Sequence, residues 1–240
     1  MPLTSFAPTL HVAVIGASGG IGAALVAALA ADVQVVHITA FSRSGKTPAH
    51  NKVTLGYLDL VDPASITTAA ASVATPLDLV IVATGHLIAP ERDMRQLNTT
   101  ALARDFAILA TGPALVAQAF LPKLRTDHKS AFAALSARVG SITDNNLGGW
   151  YGYRAAKAAL NQLLRTLAIE QARKNRFSLV VGLHPGTVDT ALSKPFQRGV
   201  APGKLFTPDQ SAACLLNVLD ALTVTDSGGV FAWDGMRIAP

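Results

Sequence analysis

Short apolar runs alternate with longer helical segments along the whole chain. The runs are rich in β-branched and other apolar residues, which favour strands. Seven of them predict strands at 12–15, 33–41, 53–58, 77–83, 131–137, 177–183 and 230–233. The segments between them predict helices, because they are rich in strong helix formers or carry helical spacing. This alternation predicts an α/β fold in which one doubly wound parallel sheet carries helices on both faces.

The pattern also predicts two helix starts, one kinked helix and one long loop. Asp62-Pro63 and Thr207-Pro208 each place a capping side chain before a proline, which is typical of a helix start. A long helix over 100–123 contains Pro113, which predicts a local kink. Residues 191–206 are rich in Pro, Gly, Lys and Ser and lack periodicity. They are a candidate substrate lid, and the alternative is a surface loop with no role.

Composition narrows the class of protein. The chain has 240 residues, of which 50% are hydrophobic and 15% charged, and this suits one well-buried domain spanning 1–240. The net charge of +5 comes from dispersed lysines and arginines, so we expect no nucleic-acid partner. The single Cys214 excludes an internal disulfide, argues against a metal site and fits a reducing compartment. Because we find no signal-peptide pattern and no apolar run of transmembrane length, we expect a cytoplasmic protein with no membrane partner.

The first predicted strand runs directly into a glycine-rich turn. Gly16, Gly20 and Gly22 follow the strand and precede an alanine-rich helix. Strand, glycine turn and helix together aim backbone N–H groups and a helix N-terminus at a phosphate. The spacing Gly-x-x-x-Gly-x-Gly differs from the commoner dinucleotide fingerprint Gly-x-Gly-x-x-Gly. We therefore predict phosphate binding, and the alternative is a tight turn whose glycines serve packing only.

The second predicted strand ends in a segment that bears on cofactor choice, Ser42, Arg43 and Ser44. An acidic residue at this place suits the ribose 2′-hydroxyl of NAD, whereas an arginine suits the 2′-phosphate of NADP. The chain has no Asp or Glu between residues 35 and 45, so the sequence favours NADP(H) over NAD(H). The alternative is an ordinary surface arginine in a loop.

Tyr153 and Lys157 form the candidate catalytic pair. They are four residues apart, which places both side chains on one face of a helix running to about residue 174. A free tyrosine has a pKa near ~10, and a neighbouring ammonium lowers it, so the pair can exchange a proton at cellular pH. The alternative is a partly buried tyrosine beside a solvated lysine. We interpret the lone His184 as a structural residue.

The helix that begins near Tyr153 is apolar nearly all round. One face can cover the sheet, and the remaining apolar surface needs another partner. We therefore predict a homodimer or homotetramer that buries this helix.

Three motifs, in order and at the expected separations, make the chain resemble the short-chain dehydrogenase/reductase family over essentially its whole length. The glycine turn occupies 15–22, Tyr-x-x-x-Lys runs from Tyr153 to Lys157, and 185–190 match the family's Pro-Gly-x-Val-x-Thr in full. Within the family the chain resembles the C-factor branch, and that resemblance rests on segments 136–141, 149–154, 202–208 and 233–235.

The resemblance implies a Rossmann-type sheet and hydride transfer between a nicotinamide and a small carbonyl or alcohol substrate. Tyr153 would exchange the proton, and Lys157 would lower its pKa and hold the nicotinamide ribose. Asp59 would contact adenine, Ala83 and Gly85 would pass beside the adenosine ribose, and Val188 with Thr190 would hold the carboxamide. The full set of cofactor-binding residues implied is Gly16, Ser18, Gly20, Ile21, Gly22, Ser42, Arg43, Ser44, Asp59, Leu60, Ala83, Thr84, Gly85, Tyr153, Lys157, Pro185, Gly186, Val188 and Thr190.

The chain departs from the family pattern at three places. The family's Asn-Asn-Ala-Gly is Val-Ala-Thr-Gly at 82–85, its relay Asn aligns with Leu109, and its catalytic Ser aligns with Ala137. Losing one such oxygen-binding donor costs roughly 10²–10³ in rate, and Ser136 and Ser141 are candidates to replace it. The alternative function is therefore a dinucleotide-binding signalling or regulatory protein with impaired catalysis.

Overall fold

Seven parallel strands form one sheet in the computed structural model, which describes residues 3–45 and 50–240. The strands of the sheet are β1 (Leu10–Ile15), β2 (Val35–Ser42), β3 (Val53–Tyr57), β4 (Leu79–Val82), β5 (Ser130–Leu135), β6 (Ser178–His184) and β9 (Val230–Ala232). Their order across the sheet is β3-β2-β1-β4-β5-β6-β9, which confirms the predicted doubly wound α/β fold. A separate parallel pair, β7 (Thr187–Val188) and β8 (Leu205–Phe206), lies outside the sheet.

Helices cover both faces of the sheet. They are α1 (Gly20–Ala31), α2 (Pro63–Ser72), α3 (Thr99–Phe106), α4 (Gly112–Phe120), α5 (Tyr151–Lys174) and α6 (Pro208–Ala221). One apolar core joins α1 and α6 to the sheet, and a second joins α2, α4 and α5 to the opposite face. The middle strands are buried on both sides, so they read as continuous apolar runs in the sequence.

Strand ends differ slightly from the predictions. β2 begins at Val35 instead of residue 33, because Val33 is 87% exposed and lies outside the sheet. β5 ends at Leu135, before the predicted end at residue 137. The segment 191–206 is also less irregular than predicted, since it contains a 3₁₀ helix, Lys194–Gly199, and strand β8.

The predicted helix caps are confirmed. The Asp62 carboxylate accepts a hydrogen bond from the Ala64 N–H at 3.0 Å, and Pro63 opens α2. Thr207 and Gln210 form a reciprocal capping box at the start of α6. Each device satisfies backbone N–H groups that the helix itself leaves without partners.

The long helix predicted over 100–123 is present, but its irregularity precedes Pro113. A π-helical turn, Ala107–Thr111, joins α3 to α4, and Pro113 lies in the first turn of α4. Proline lacks an N–H, so the carbonyl one turn earlier loses its helical partner. By length and composition the whole helix, Thr99–Lys123, could cross a membrane, and 44% of its apolar window is buried within the protein.

Candidate active site

A cleft of about 510 Å³ opens at the carboxyl ends of the strands, the edge where doubly wound sheets bind ligands. Most predicted site residues line it: Gly20, Ile21, Ala83, Thr84, Gly85, Tyr153, Lys157, Pro185, Gly186, Val188 and Thr190. The structure thus gathers these residues from four separate segments of the chain around one cleft. Gly16, Ser18, Gly22, Ser42, Arg43, Ser44, Asp59 and Leu60 are not among its lining residues.

The glycine turn is built so that only glycine fits. Gly16 has a φ of +86°, and a side chain there would meet the Ala83 carbonyl oxygen at 2.8 Å. A Cβ on Gly20 would lie 2.7 Å from the Thr190 methyl carbon, and one on Gly22 would collide with the Gly16 carbonyl oxygen. In the described chain no side chain caps α1, and no acidic residue stands in its first turn. Its N-terminal N–H groups therefore suit an anionic group such as a dinucleotide phosphate.

The segment after β2 presents an exposed cation. Ser42 is buried, and its hydroxyl oxygen accepts a hydrogen bond from the Gly45 N–H at 3.0 Å. Arg43 is exposed, and its charge helps to lower the pKa of His86, after burial and Arg104. Arg43 therefore lies within electrostatic range of the loop that follows β4.

Asp59 and Leu60 occupy the loop that follows β3. The Asp59 carboxylate accepts a hydrogen bond from the Val61 N–H at 3.2 Å. Leu60 is only 8% exposed and its side chain packs in the core, so it could meet a ligand only through its backbone.

Tyr153 and Lys157 share one face of α5, as predicted, and Lys157 is buried, unlike the solvated lysine of the alternative interpretation. It is 2% exposed, and its Nζ donates to the Leu135 carbonyl oxygen at 2.6 Å. Nζ lies 6.0 Å from the centre of the Tyr153 ring. The carbonyl at the end of β5 thus fixes the ammonium beneath the cleft.

The protonation states differ from the predicted mechanism. Burial, together with the charge of Asp105, raises the pKa of Tyr153 to about 12, whereas we predicted that Lys157 lowers it. Burial also lowers the pKa of Lys157 to about 7, which weakens its positive charge at neutral pH. Tyr153 is therefore protonated at neutral pH, and its raised pKa makes it a weaker proton donor than a free tyrosine.

Neither serine proposed as a replacement for the missing catalytic hydroxyl is free to act as one. Ser136 donates to the Asn161 amide oxygen at 2.6 Å. Ser141 donates to the Pro240 carbonyl oxygen at 3.3 Å and accepts from the Asp144 N–H at 3.0 Å. Leu109, at the place of the relay Asn, is buried in the π-helical turn.

Segment 191–206 forms a roof over the cleft. A Cβ on Gly85 would lie 2.9 Å from a Leu192 methyl carbon. The Phe196 ring packs 5.3 Å from the Trp150 ring, which in turn contacts the Tyr153 ring edge to face at 6.1 Å. Trp150 therefore links the roof to the candidate catalytic tyrosine.

Two carboxylates lie under the first turn of α5, and the sequence analysis did not identify them. Glu91 is 6% exposed and accepts a hydrogen bond from the Gly152 N–H at 3.2 Å. A Cβ on Gly152 would lie 2.7 Å from an Asp105 carboxylate oxygen, and Asp105 lies 3.7 Å from His86 Nε2. Negative charge is favourable at a helix N-terminus. No local sequence motif predicts this arrangement, because Glu91, Asp105 and Gly152 lie in three distant segments of the chain.

Comparison with known proteins identifies the class. The family described as short chain dehydrogenase matches residues 10–201, so the chain belongs to the short-chain dehydrogenase family of oxidoreductases. C-signal of Myxococcus xanthus is 37% identical over 137 residues, which cover 57% of this chain and 77% of that protein. This similarity confirms the C-factor-like branch of the family.

Other relatives are enzymes by name. The 1-hydroxy-2-glutathionyl-2-methyl-3-butene dehydrogenase of Rhodococcus sp. (strain AD45) is 34% identical over 145 residues, which cover 60% of each chain. The NADPH-bound carbonyl reductase from chicken fatty liver is 28% identical, with a TM-score of 0.85 over 98% of this chain and 96% of that one. This chain and the carbonyl reductase therefore share their fold over nearly their whole lengths.

Proposed function

We propose that this protein is an NADP-dependent reductase that transfers a hydride to a small aldehyde or ketone. The observation that carries the proposal is the cleft itself, in which Tyr153 and Lys157 face the glycine turn of an uncapped helix. The similarity to an NADPH-bound carbonyl reductase supports it. The reverse reaction, oxidation of an alcohol, uses the same groups.

The chain's own residues supply proton transfer and binding. A reduced nicotinamide supplies the hydride to the carbonyl carbon when it is bound. Tyr153 donates its phenol proton to the carbonyl oxygen and then recovers a proton from solvent. Lys157 donates a hydrogen bond to the Leu135 carbonyl at the end of β5. Its positive charge stabilises the phenolate that forms once Tyr153 has lost its proton.

The cofactor would lie along the residues named from the sequence. The N-terminus of α1, with Gly16, Gly20 and Gly22, would take the pyrophosphate. Arg43 would read the 2′-phosphate, since an arginine pairs well with phosphate oxygens. Residues Pro185, Gly186, Val188 and Thr190 would hold the nicotinamide end, and the remaining predicted contacts keep their expected roles: Ser18, Ile21, Ser42, Ser44, Asp59, Leu60, Ala83, Thr84 and Gly85.

The test of catalysis is NADPH oxidation with a panel of aldehydes and ketones, comparing wild type with Tyr153→Phe. We expect the phenylalanine variant to lose about 10²–10⁴ in rate, because it cannot donate a proton. Tyr151→Phe is the matched control, since Tyr151 does not line the cleft. Equal rates in wild type and Tyr153→Phe would contradict the proposed function.

The test of cofactor choice is the affinity for NADPH and NADH of wild type and Arg43→Ala. We expect NADPH binding to weaken about tenfold or more, the equivalent of one charge-assisted hydrogen bond, while NADH binding is unchanged. Arg173→Ala, at the exposed end of α5, is the control. Equal losses for both dinucleotides would show that Arg43 does not read the phosphate.

A regulatory dinucleotide-binding protein is the second candidate. Ala137 and Leu109 favour it, because they remove two polar groups from the expected proton relay. Tight NADPH binding without reduction of any carbonyl in the panel would support it over the enzyme.

We also propose that copies of this chain assemble as a homodimer or homotetramer through α5. Leu163 and Ile169 on this helix are 37% and 46% exposed, and apolar side chains of this kind favour an interface. A monomer in light scattering would contradict this assembly.

A further inference from the structure

His184 stands at the carboxyl end of β6 and lines the cleft together with Tyr153 and Lys157. The neighbouring strand end carries Ala137, the residue at the place of the family's serine. The Ser136 N–H donates to the Leu183 carbonyl oxygen at 2.7 Å, so positions 137 and 184 each follow one partner of a backbone hydrogen bond between the two strands. Ala137 and His184 thus lie at adjoining strand ends, and both line the cleft.

The ring nitrogens of His184 have no hydrogen-bond partner among the described residues. Its Nδ1 is buried and makes no hydrogen bond among the residues that the structure describes. Because Nδ1 is sealed from solvent, it cannot meet a ligand in the open cleft. Nε2 is not among the sealed atoms, and it too makes no hydrogen bond among the described residues. A bound carbonyl compound can be the partner of Nε2.

The ring is neutral, which decides what it can offer. Burial and the charge of Arg138 lower the pKa of His184 to about 4, although Asp234 acts in the opposite direction. A neutral imidazole carries one N–H donor and one acceptor nitrogen. At neutral pH it can therefore donate a hydrogen bond to a substrate oxygen without releasing its proton.

The competing donors of this part of the cleft are already engaged. Ser136 and Ser141 donate to other groups, and the Arg138 guanidinium pairs with Asp144 at 3.0 Å. Ala137 has no polar group to offer. Among these residues, His184 is the one whose side chain keeps a polar atom without a partner in the described chain.

We propose that His184 is a catalytic residue, whose ring N–H donates a hydrogen bond to the substrate carbonyl oxygen and replaces the hydroxyl absent at position 137. The proposal rests on the proposed function. The rest of the cleft near the roof is apolar, through Leu87, Leu192, Phe196 and Val200. The substrate class is therefore an aldehyde or ketone with apolar or aromatic substituents, its oxygen held between His184 and Tyr153.

The test replaces His184 and restores the missing hydroxyl. His184→Phe keeps a ring and removes both nitrogens, while His184→Asn and His184→Gln keep an N–H donor near the place of Nδ1 or Nε2, respectively. Reduction of isatin, a flat cyclic ketone, is measured with NADPH. We expect His184→Phe to lose about 10²-fold in kcat with KM for NADPH unchanged, as for other oxygen-binding donors. One of the two amide variants should recover at least tenfold of that loss.

The second arm adds Ala137→Ser. In the His184→Phe background we expect it to restore about tenfold or more, because either donor serves the same oxygen. His37→Phe, a surface histidine outside the cleft that contacts Thr54, is the matched control. Circular dichroism melts and NADPH affinity show that each variant is folded and binds cofactor.

The outcomes separate the two proposals. A wild type that reduces isatin, with a folded His184→Phe variant equally fast, overturns the role of His184 and leaves the proposed function standing. Loss in His184→Phe with no rescue by Asn, Gln or Ala137→Ser also overturns it, since that loss is then structural. A wild type that binds no NADPH, or that reduces neither isatin nor any other carbonyl in the panel, overturns the proposed function and this role with it.

Discussion

Replacing Lys157 with methionine is expected to stabilise the folded protein while removing its activity. Burial lowers the pKa of this lysine from 10.5 to about 7, and with only 2% of the residue exposed solvent screens little of the effect. One pKa unit corresponds to about 1.4 kcal/mol, so folding with a charged lysine here costs about 4–5 kcal/mol. The hydrogen bond to the Leu135 carbonyl offsets about 1 kcal/mol. Lys157→Met should therefore raise the free energy of unfolding by about 2–4 kcal/mol below pH 7.

The pH dependence of this difference has a defined sign. Between pH about 7 and 10.5 the unfolded chain retains a proton on Lys157 that the folded protein has released, so wild-type stability rises with pH across this window. The cost of the buried charge is fully present below the folded pKa and absent above the unfolded one. The methionine variant lacks this titration, and the stability gap between the two proteins should therefore close as the pH rises.

Urea unfolding of both proteins near pH 6 and near pH 10 measures the gap. Tyr153 and Lys129 titrate in both proteins and so cancel in the difference. Lys174→Met is the control, because its ion pair with Glu170 is exposed and changes stability little. A gap of the same size at both pH values, or a variant less stable than wild type near pH 6, would refute the reasoning.

Three further changes have expected outcomes. Gly22→Ala places a Cβ on the Gly16 carbonyl oxygen, so we expect a loss of about 1–3 kcal/mol in urea unfolding and weaker NADPH binding; normal affinity would contradict the turn's role. Phe196→Ala removes the ring that packs on Trp150 and should raise KM for a carbonyl substrate about tenfold with stability unchanged, and an unaltered KM would mean that the roof does not bind substrate. Asp62→Ala should cost about 1 kcal/mol in urea unfolding, the usual value of a lost cap, without changing activity.

Much of the fold could be predicted from local sequence signals. Buried parallel strands need apolar runs and helix starts need caps, so the positions of the strands and the Asp62 cap can both be predicted from the sequence. The glycine turn and the pair Tyr153 and Lys157 reach the same cleft because strand ends in a parallel sheet meet at one edge. The Pro113 irregularity was correctly expected, yet it lies one turn earlier, where the helix absorbs the missing hydrogen bond.

The electrostatics of the site could not be predicted in the same way. A charge on Lys157 was assumed from its type, whereas its pKa depends on burial that only the packed structure defines. His184 looked structural because nothing in the sequence tells which ring atoms lack partners. Glu91 and Asp105 meet beneath α5 from separate segments, and a single sequence carries no signal for such a contact.

Leu192 of the roof lies against Gly85, and Thr190, just before the roof, lies against Gly20. A dinucleotide bound in the cleft would therefore be enclosed by the same segment that encloses the carbonyl substrate. We expect this segment to move before the spent coenzyme leaves, so turnover should slow when glycerol or sucrose raises the solvent viscosity. The rate of hydride transfer itself should not change with solvent viscosity.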